Sequence, residues 1–281
     1  MVETLTLSAN GLRFAARAVG EGPLLLLLHG FPDDADSMLP LARALGGYRV
    51  VAPFLRGYAP TEVPRQPVTT LRTLAADVVG WLDALGADDA VLVGHDWGAA
   101  IGYATATLHP HRIRRLVALS VPPPSVLLPA LRHHPRQILR SGYMLGFQVP
   151  GAEAAVRARD FALIDALWRR WSPGFEPPAG RVAAVKRTLG APGSLATALG
   201  YYRGLLRSRD LWTLATRPLP CPTLVLGGAR DGCMGAEVFT AVEPPAGAPY
   251  QVEILSDVGH FLPLEATGAV AERVLAFAPP G

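Results

Sequence analysis

Asp96, Asp231 and His260, three residues far apart in the chain, could together carry out nucleophilic chemistry at carbon. Asp96 is the centre of Gly94-His95-Asp96-Trp97-Gly98, which follows the apolar run Val91–Val93 and precedes a helical pattern starting at Trp97. A Gly-x-nucleophile-x-Gly turn between strand and helix lifts its middle side chain out of the sheet, and the flanking glycines permit so tight a bend. An aspartate there differs from a serine. Its carboxylate is ionised at pH 7 and can attack a saturated carbon without a base to activate it. The product is an ester, whose release needs a water deprotonated by a general base. His260, in Val258-Gly259-His260-Phe261 after the last strand pattern, puts an imidazole at the carboxyl edge of the sheet, where open α/β folds keep their sites. Asp231, just beyond the strand 223–228, is placed to hold that imidazole in one tautomer, although Asp231-Gly232 also reads as an ordinary turn pair. His29-Gly30-Phe31-Pro32 follows Leu24–Leu28 and is placed, with the Trp97 N–H, to supply backbone donors for an oxyanion. The side chains of Phe31 and Trp97 would wall the pocket and disfavour an ionic substrate.

Positioning these groups requires a layered scaffold. Residues 13–19, Leu24–Leu28 and 49–53 read as strands. From Thr69 to Leu85 the period changes: Leu71, Leu74, Val78, Trp81, Leu82 and Leu85 share one helical face, and Gly86 sits where a helix-ending glycine belongs. A strand at 90–93, a helix at 97–108 and a strand at 113–119 continue the alternation, which requires a mostly parallel sheet covered by helices. Pro122, Pro123 and Pro124 then break the rhythm, and 125–212 shows helix-like segments without a buried strand. Strands resume at 223–226 and 250–255, with a final helix over 263–278. The expected division is a core of 1–124 and 213–281 carrying a helical cap of 125–212.

Composition narrows the function classes. The 281 residues are half hydrophobic and 17% charged, which suits one compact unit with an insertion and excludes long disordered tracts. The net charge of +3 is scattered, so no nucleic-acid footprint is evident. Cys221 and Cys233 have no metal-type spacing and are expected as reduced packing residues. No cofactor or metal site is expected. Neither a leader pattern nor an apolar run long enough to span a bilayer is present, so a cytoplasmic chain with no membrane partner is expected. A homodimer is compatible with this reading.

In the elbow Gly94–Gly98, in His29–Pro32, in Leu55-Arg56-Gly57-Tyr58 and in Gly259-His260, the chain resembles the α/β-hydrolase-fold epoxide hydrolases, over its whole length. The order Asp96, Asp231, His260 is the nucleophile, acid, base order of that fold. The resemblance implies conversion of a small apolar epoxide and water to a vicinal diol, with Asp96 as nucleophile, His260 as base and Asp231 as its partner. It also implies two tyrosines that bind the epoxide oxygen. Tyr143 matches the first, in a segment ending Phe147-Gln148-Val149-Pro150-Gly151. Tyr202, in Gly200-Tyr201-Tyr202-Arg203, matches the second, with Tyr201 the alternative. Phenols suit this task because they donate to a nascent alkoxide without bringing charge into an apolar pocket. Phe54 and Ala59 depart from the family pattern around Leu55–Tyr58, which leaves the local loop and the shape of the entrance open. The alternatives are a haloalkane dehalogenase, against which Phe31 stands where many such enzymes place a halide-binding asparagine, and a non-catalytic ligand-binding protein on the same fold.

Overall fold

Five consecutive leucines, Leu24–Leu28, have no polar face to turn toward solvent, so they are stable only as a strand covered on both sides. In the computed structural model, which describes residues 1–67 and 69–280, they occupy the middle of a sheet. Its strands are β1 (Val2–Ala9), β2 (Leu12–Val19), β3 (Leu24–Leu28), β4 (Arg49–Pro53), β5 (Ala90–His95), β6 (Ile113–Leu119), β7 (Thr223–Gly228) and β8 (Tyr250–Leu255). They lie in the order β1-β2-β4-β3-β5-β6-β7-β8, and only β2 runs against the rest. The protein has the α/β-hydrolase fold, a mostly parallel sheet flanked by helices.

β1 was not expected from the pattern. It is an edge strand whose only fully buried residue is Leu7, so its alternation is weak, and it is fixed by pairing with β2 through the turn at Asn10-Gly11. The flanking helices are α1 (Leu39–Ala44), α2 (Leu71–Ala84) and α3 (Trp97–Leu108). Thr70 caps α2, its hydroxyl accepting the Thr73 N–H at 3.2 Å.

Between β6 and β7 the described residues form seven helices and no strand: α4 (Pro124–Ala130), α5 (Pro135–Arg140), α6 (Tyr143–Gly146), α7 (Ala152–Trp171), α8 (Arg181–Gly190), α9 (Ser194–Arg207) and α10 (Asp210–Thr216). α7 is interrupted at Ala158–Phe161. The expected end of the insertion at 212 falls inside α10, which packs on α4, α3 and α2. The expected last helix is two pieces, α11 (Leu262–Glu265) and α12 (Thr267–Phe277), because Ala266 leaves the helical region. Among the described residues no helix is long and apolar enough to cross a membrane, and no group of three His, Cys, Asp or Glu side chains is arranged to hold a metal ion.

Candidate functional site

The carboxyl ends of β3, β5, β7 and β8 converge on one point. Asp96 follows β5 and precedes α3, with φ 52° and ψ −112°, a conformation L residues rarely adopt. The turn is tolerated because its neighbours lack side chains: a Cβ on Gly98 would strike the Leu28 carbonyl, and one on Gly30 would strike the Asp96 carboxyl itself. The strain therefore aims the carboxylate at the end of β3. There the Phe31 N–H donates to Asp96 Oδ1 at 2.7 Å. The second expected donor, the Trp97 N–H, begins α3 and makes no hydrogen bond to this carboxylate among the described residues.

Asp96 Oδ2 faces His260, 3.7 Å from Nε2. The other ring nitrogen, Nδ1, donates to Asp231 Oδ2 at 2.8 Å. Asp231 Oδ1 accepts the Cys233 and Met234 N–H groups at 2.6 and 2.9 Å, so its orientation is fixed from behind. The structure thus brings Asp96, Asp231 and His260 together, with Nδ1 engaged by Asp231 and Nε2 without a hydrogen-bond partner among the described residues. Burial works against a charged imidazole here, but Asp231, and then Asp96, outweigh it and raise the His260 pKa to about 10.

The backbone around His260 is pinned by residues that sequence reasoning missed. Its N–H reaches Ser172 Oγ at 2.8 Å, and its carbonyl accepts from His95 Nε2 at 2.8 Å and Ser120 Oγ at 2.6 Å. Glu265, on the short α11, accepts the Ser172 hydroxyl and the N–H groups of Gly259 and Phe261. His95 was visible in the elbow motif, but nothing in its spacing tied it to residue 260. Burial lowers its pKa to about 3, and that of His29 to about 4, so both stay neutral structural groups. The loop around the departures Phe54 and Ala59 is held as well: Phe54 is buried with Arg17 over its ring, and His29 Nε2 accepts the Leu55 N–H at 3.0 Å.

The opposite wall comes from the insertion. Tyr143 (α6) and Tyr202 (α9) face one another with ring centroids 5.8 Å apart, and both line, with Asp96 and Trp97, a mainly apolar cavity of about 120 Å³. The Tyr202 hydroxyl is buried; the Trp97 indole packs edge-on at 5.0 Å but does not complete a hydrogen bond to it. The Tyr143 hydroxyl has one contact, the Cys233 thiol at 3.7 Å. Burial holds both phenols well above their ordinary pKa of 10, so they remain neutral donors. Tyr201 is excluded from the cavity, since its hydroxyl donates to the Arg56 carbonyl at 2.8 Å. Two expectations change in detail. Phe31 gives its amide to the site, but its ring packs against Phe147 and Tyr202 rather than among the cavity-lining residues. Cys233, expected only as packing, is free, buried and part of the cavity wall.

The α/β-hydrolase-fold family model matches residues 23–142. Over 278 residues the chain is 32% identical to epoxide hydrolase 4 of Mus musculus, covering 95% of this chain and 77% of that protein. It is 31% identical to epoxide hydrolase A of Mycobacterium tuberculosis, covering 95% and 94%. The crystal structure of an epoxide hydrolase from Vigna radiata superposes with a TM-score of 0.82 at 30% identity, covering 98% and 97%.

Proposed function

This chain belongs to the epoxide hydrolases of the α/β-hydrolase fold, and on that premise we propose that it opens an apolar epoxide through a covalent ester on Asp96. The observation that carries the mechanism is the facing arrangement across one cavity: a carboxylate fixed at the sheet edge, and two neutral phenols opposite it.

Asp96 Oδ2 attacks one ring carbon, and the breaking carbon–oxygen bond sends its electron pair to the epoxide oxygen. Tyr143 and Tyr202 hydrogen-bond that oxygen as charge develops, and one phenol delivers the proton that makes the first hydroxyl. The thiol contact of Tyr143 and the lack of a partner at Tyr202 leave both donors available to a ligand. Ester formation also changes the base. It removes the Asp96 charge, one of the two that raise the His260 pKa, so the imidazole gives up its proton more readily when a base is needed. His260 Nε2 then takes a proton from water as the water adds to the ester carbonyl. The oxyanion forms on Oδ1, where the Phe31 N–H already donates. The proton that the imidazolium gives up neutralises the phenolate. On collapse the departing alkoxide takes the proton of the re-formed Asp96 carboxyl and becomes the second hydroxyl, while His260 keeps the proton drawn from water. The enzyme returns to its starting state, and the net change is epoxide plus water to diol.

The helical insertion is read as a lid over this site, residues 125–212 in the sequence division and extended through Thr216 by α10. A water-excluding roof strengthens each electrostatic contact beneath it. A panel of terminal and internal epoxides beside haloalkanes and an activated ester tests the reading. Diol release alone is expected; halide release outpacing diol release would overturn it in favour of a dehalogenase.

A further inference from the structure

The insertion has an outer face that this reaction does not use. Four apolar side chains on a stretch of twelve residues, Ile138, Leu139, Leu145 and Val149, stand 53–77% exposed. The inner side of the same stretch faces the cavity through Ser141, Tyr143 and Met144. Gln137, fully buried, ties it to the loop behind Asp231, donating to the Cys233 carbonyl at 2.9 Å and accepting the Gly235 N–H at 3.0 Å. One layer of chain therefore separates the cavity from an apolar surface.

The segment itself carries charge of one sign. Between Asp96 and Glu153 the chain carries no acidic residue. Arg132, His133 and Arg136 stand exposed on the same segment as the apolar side chains, and the acidic groups at its edge, Glu237 and Glu153, are engaged by Arg140 at 2.9 Å and by Arg203 at 3.1 Å. Exposed apolar side chains and free arginines on one segment suit the boundary of an anionic bilayer, where arginines meet phosphates and apolar groups enter the acyl region. A two-fold contact with a second copy would instead bring the same cations together, which disfavours it.

We propose that residues 131–150 dock on an anionic phospholipid surface, so that an epoxide dissolved in the bilayer reaches the cavity without crossing water. The substrate part of this proposal rests on the epoxide reading above. The test is co-sedimentation of the full chain with phosphatidylcholine vesicles, with and without phosphatidylglycerol, at low and high salt. Binding is expected only to the anionic vesicles at low salt. Arg132→Ala with Arg136→Ala should weaken it by about fivefold per arginine, and Leu139→Ser with Leu145→Ser should abolish it. Both variants should hydrolyse a water-soluble epoxide at the parental rate and a long-chain epoxide held in anionic vesicles more slowly than the parent. No binding, equal binding to neutral vesicles, or a concentration-dependent dimer lost in the leucine variant would overturn the docking proposal. Absence of diol from the soluble epoxide with the parent protein would instead remove the epoxide reading and leave vesicle binding as a separate result.

Discussion

On the sheet side of the cavity, the acceptors that matter are already engaged: Asp96 Oδ1 by Phe31, and both oxygens of Asp231 by His260 and its own loop. On the helical side, among the described residues, the hydroxyl of Tyr202 has no partner and that of Tyr143 has only a thiol. In the proposed mechanism this difference divides the work: strand ends and a strained turn fix the attacking group before substrate arrives, while the insertion keeps its donors free for an oxygen whose charge appears only as the ring opens. Rigid positioning suits a nucleophile, whose reaction is sensitive to small misplacements. Spare donor capacity suits the pole where charge appears late.

Removing His260 should separate the two regions most sharply, because in the proposed mechanism the base acts only after the sheet-borne nucleophile and the phenols have finished their step. In His260→Gln the ester should form and then persist, with hydrolysis slower by about 10⁴-fold. Intact-protein mass spectrometry should find the adduct; an adduct-free, folded variant exposed to substrate would remove His260 from the role. Next in size is loss of the roof. The double change Tyr143→Phe with Tyr202→Phe should slow alkylation by roughly 10²- to 10⁴-fold, each single change by less, and Tyr201→Phe hardly at all because its hydroxyl serves Arg56. Stopped-flow measurement of alkylation reads this, and near-parental rates in the double variant would make the tyrosines packing residues.

The regions should also differ in what they contribute to stability. Leu26, fully buried in β3, should cost about 2–5 kcal/mol on change to alanine. Leu139, 77% exposed on the insertion, should stay within about 0.5 kcal/mol. Equilibrium urea unfolding compares them, and a large loss at Leu139 would mean that its face is covered. The smallest effect concerns pH. In the free enzyme two carboxylates favour the protonated imidazole, whose pKa is about 10; in the ester only Asp231 remains. Ester hydrolysis should therefore fall as pH drops through a midpoint below that of the free enzyme, by up to tenfold per unit, while alkylation should not follow that midpoint. Single-turnover pH profiles separate the two steps, and a shared midpoint would contradict the change in the base.

How much of this was legible in the sequence follows the same division. Asp96, Asp231 and His260 each sit just after an apolar strand pattern, so the sheet that brings them together could be read from periodicity. The roof could not be read in that way. Tyr201 and Tyr202 are adjacent, and nothing local indicates that one hydroxyl will find the Arg56 carbonyl while the other faces the cavity. Cys233, Ser172, Glu265 and Gln137 act through contacts across long stretches of chain, which no spacing rule reports. The expected boundary at 212 lies inside α10, which continues the helical pattern to Thr216 and packs on α4 of the insertion as well as on α3 and α2, and no local signal marks where the insertion ends.

The attack by Asp96 is tested most directly by following oxygen. In a single turnover in ¹⁸O-labelled water, with enzyme in excess, Asp96 should give its own unlabelled oxygen to the diol and recover a labelled one from solvent when the ester is hydrolysed. Mass spectrometry of the diol and of the peptide containing Asp96 reads both. Unlabelled diol with label in Asp96 is the expected result; label in the first-turnover diol, with none in the peptide, would mean that water attacks the epoxide directly and would contradict the ester mechanism.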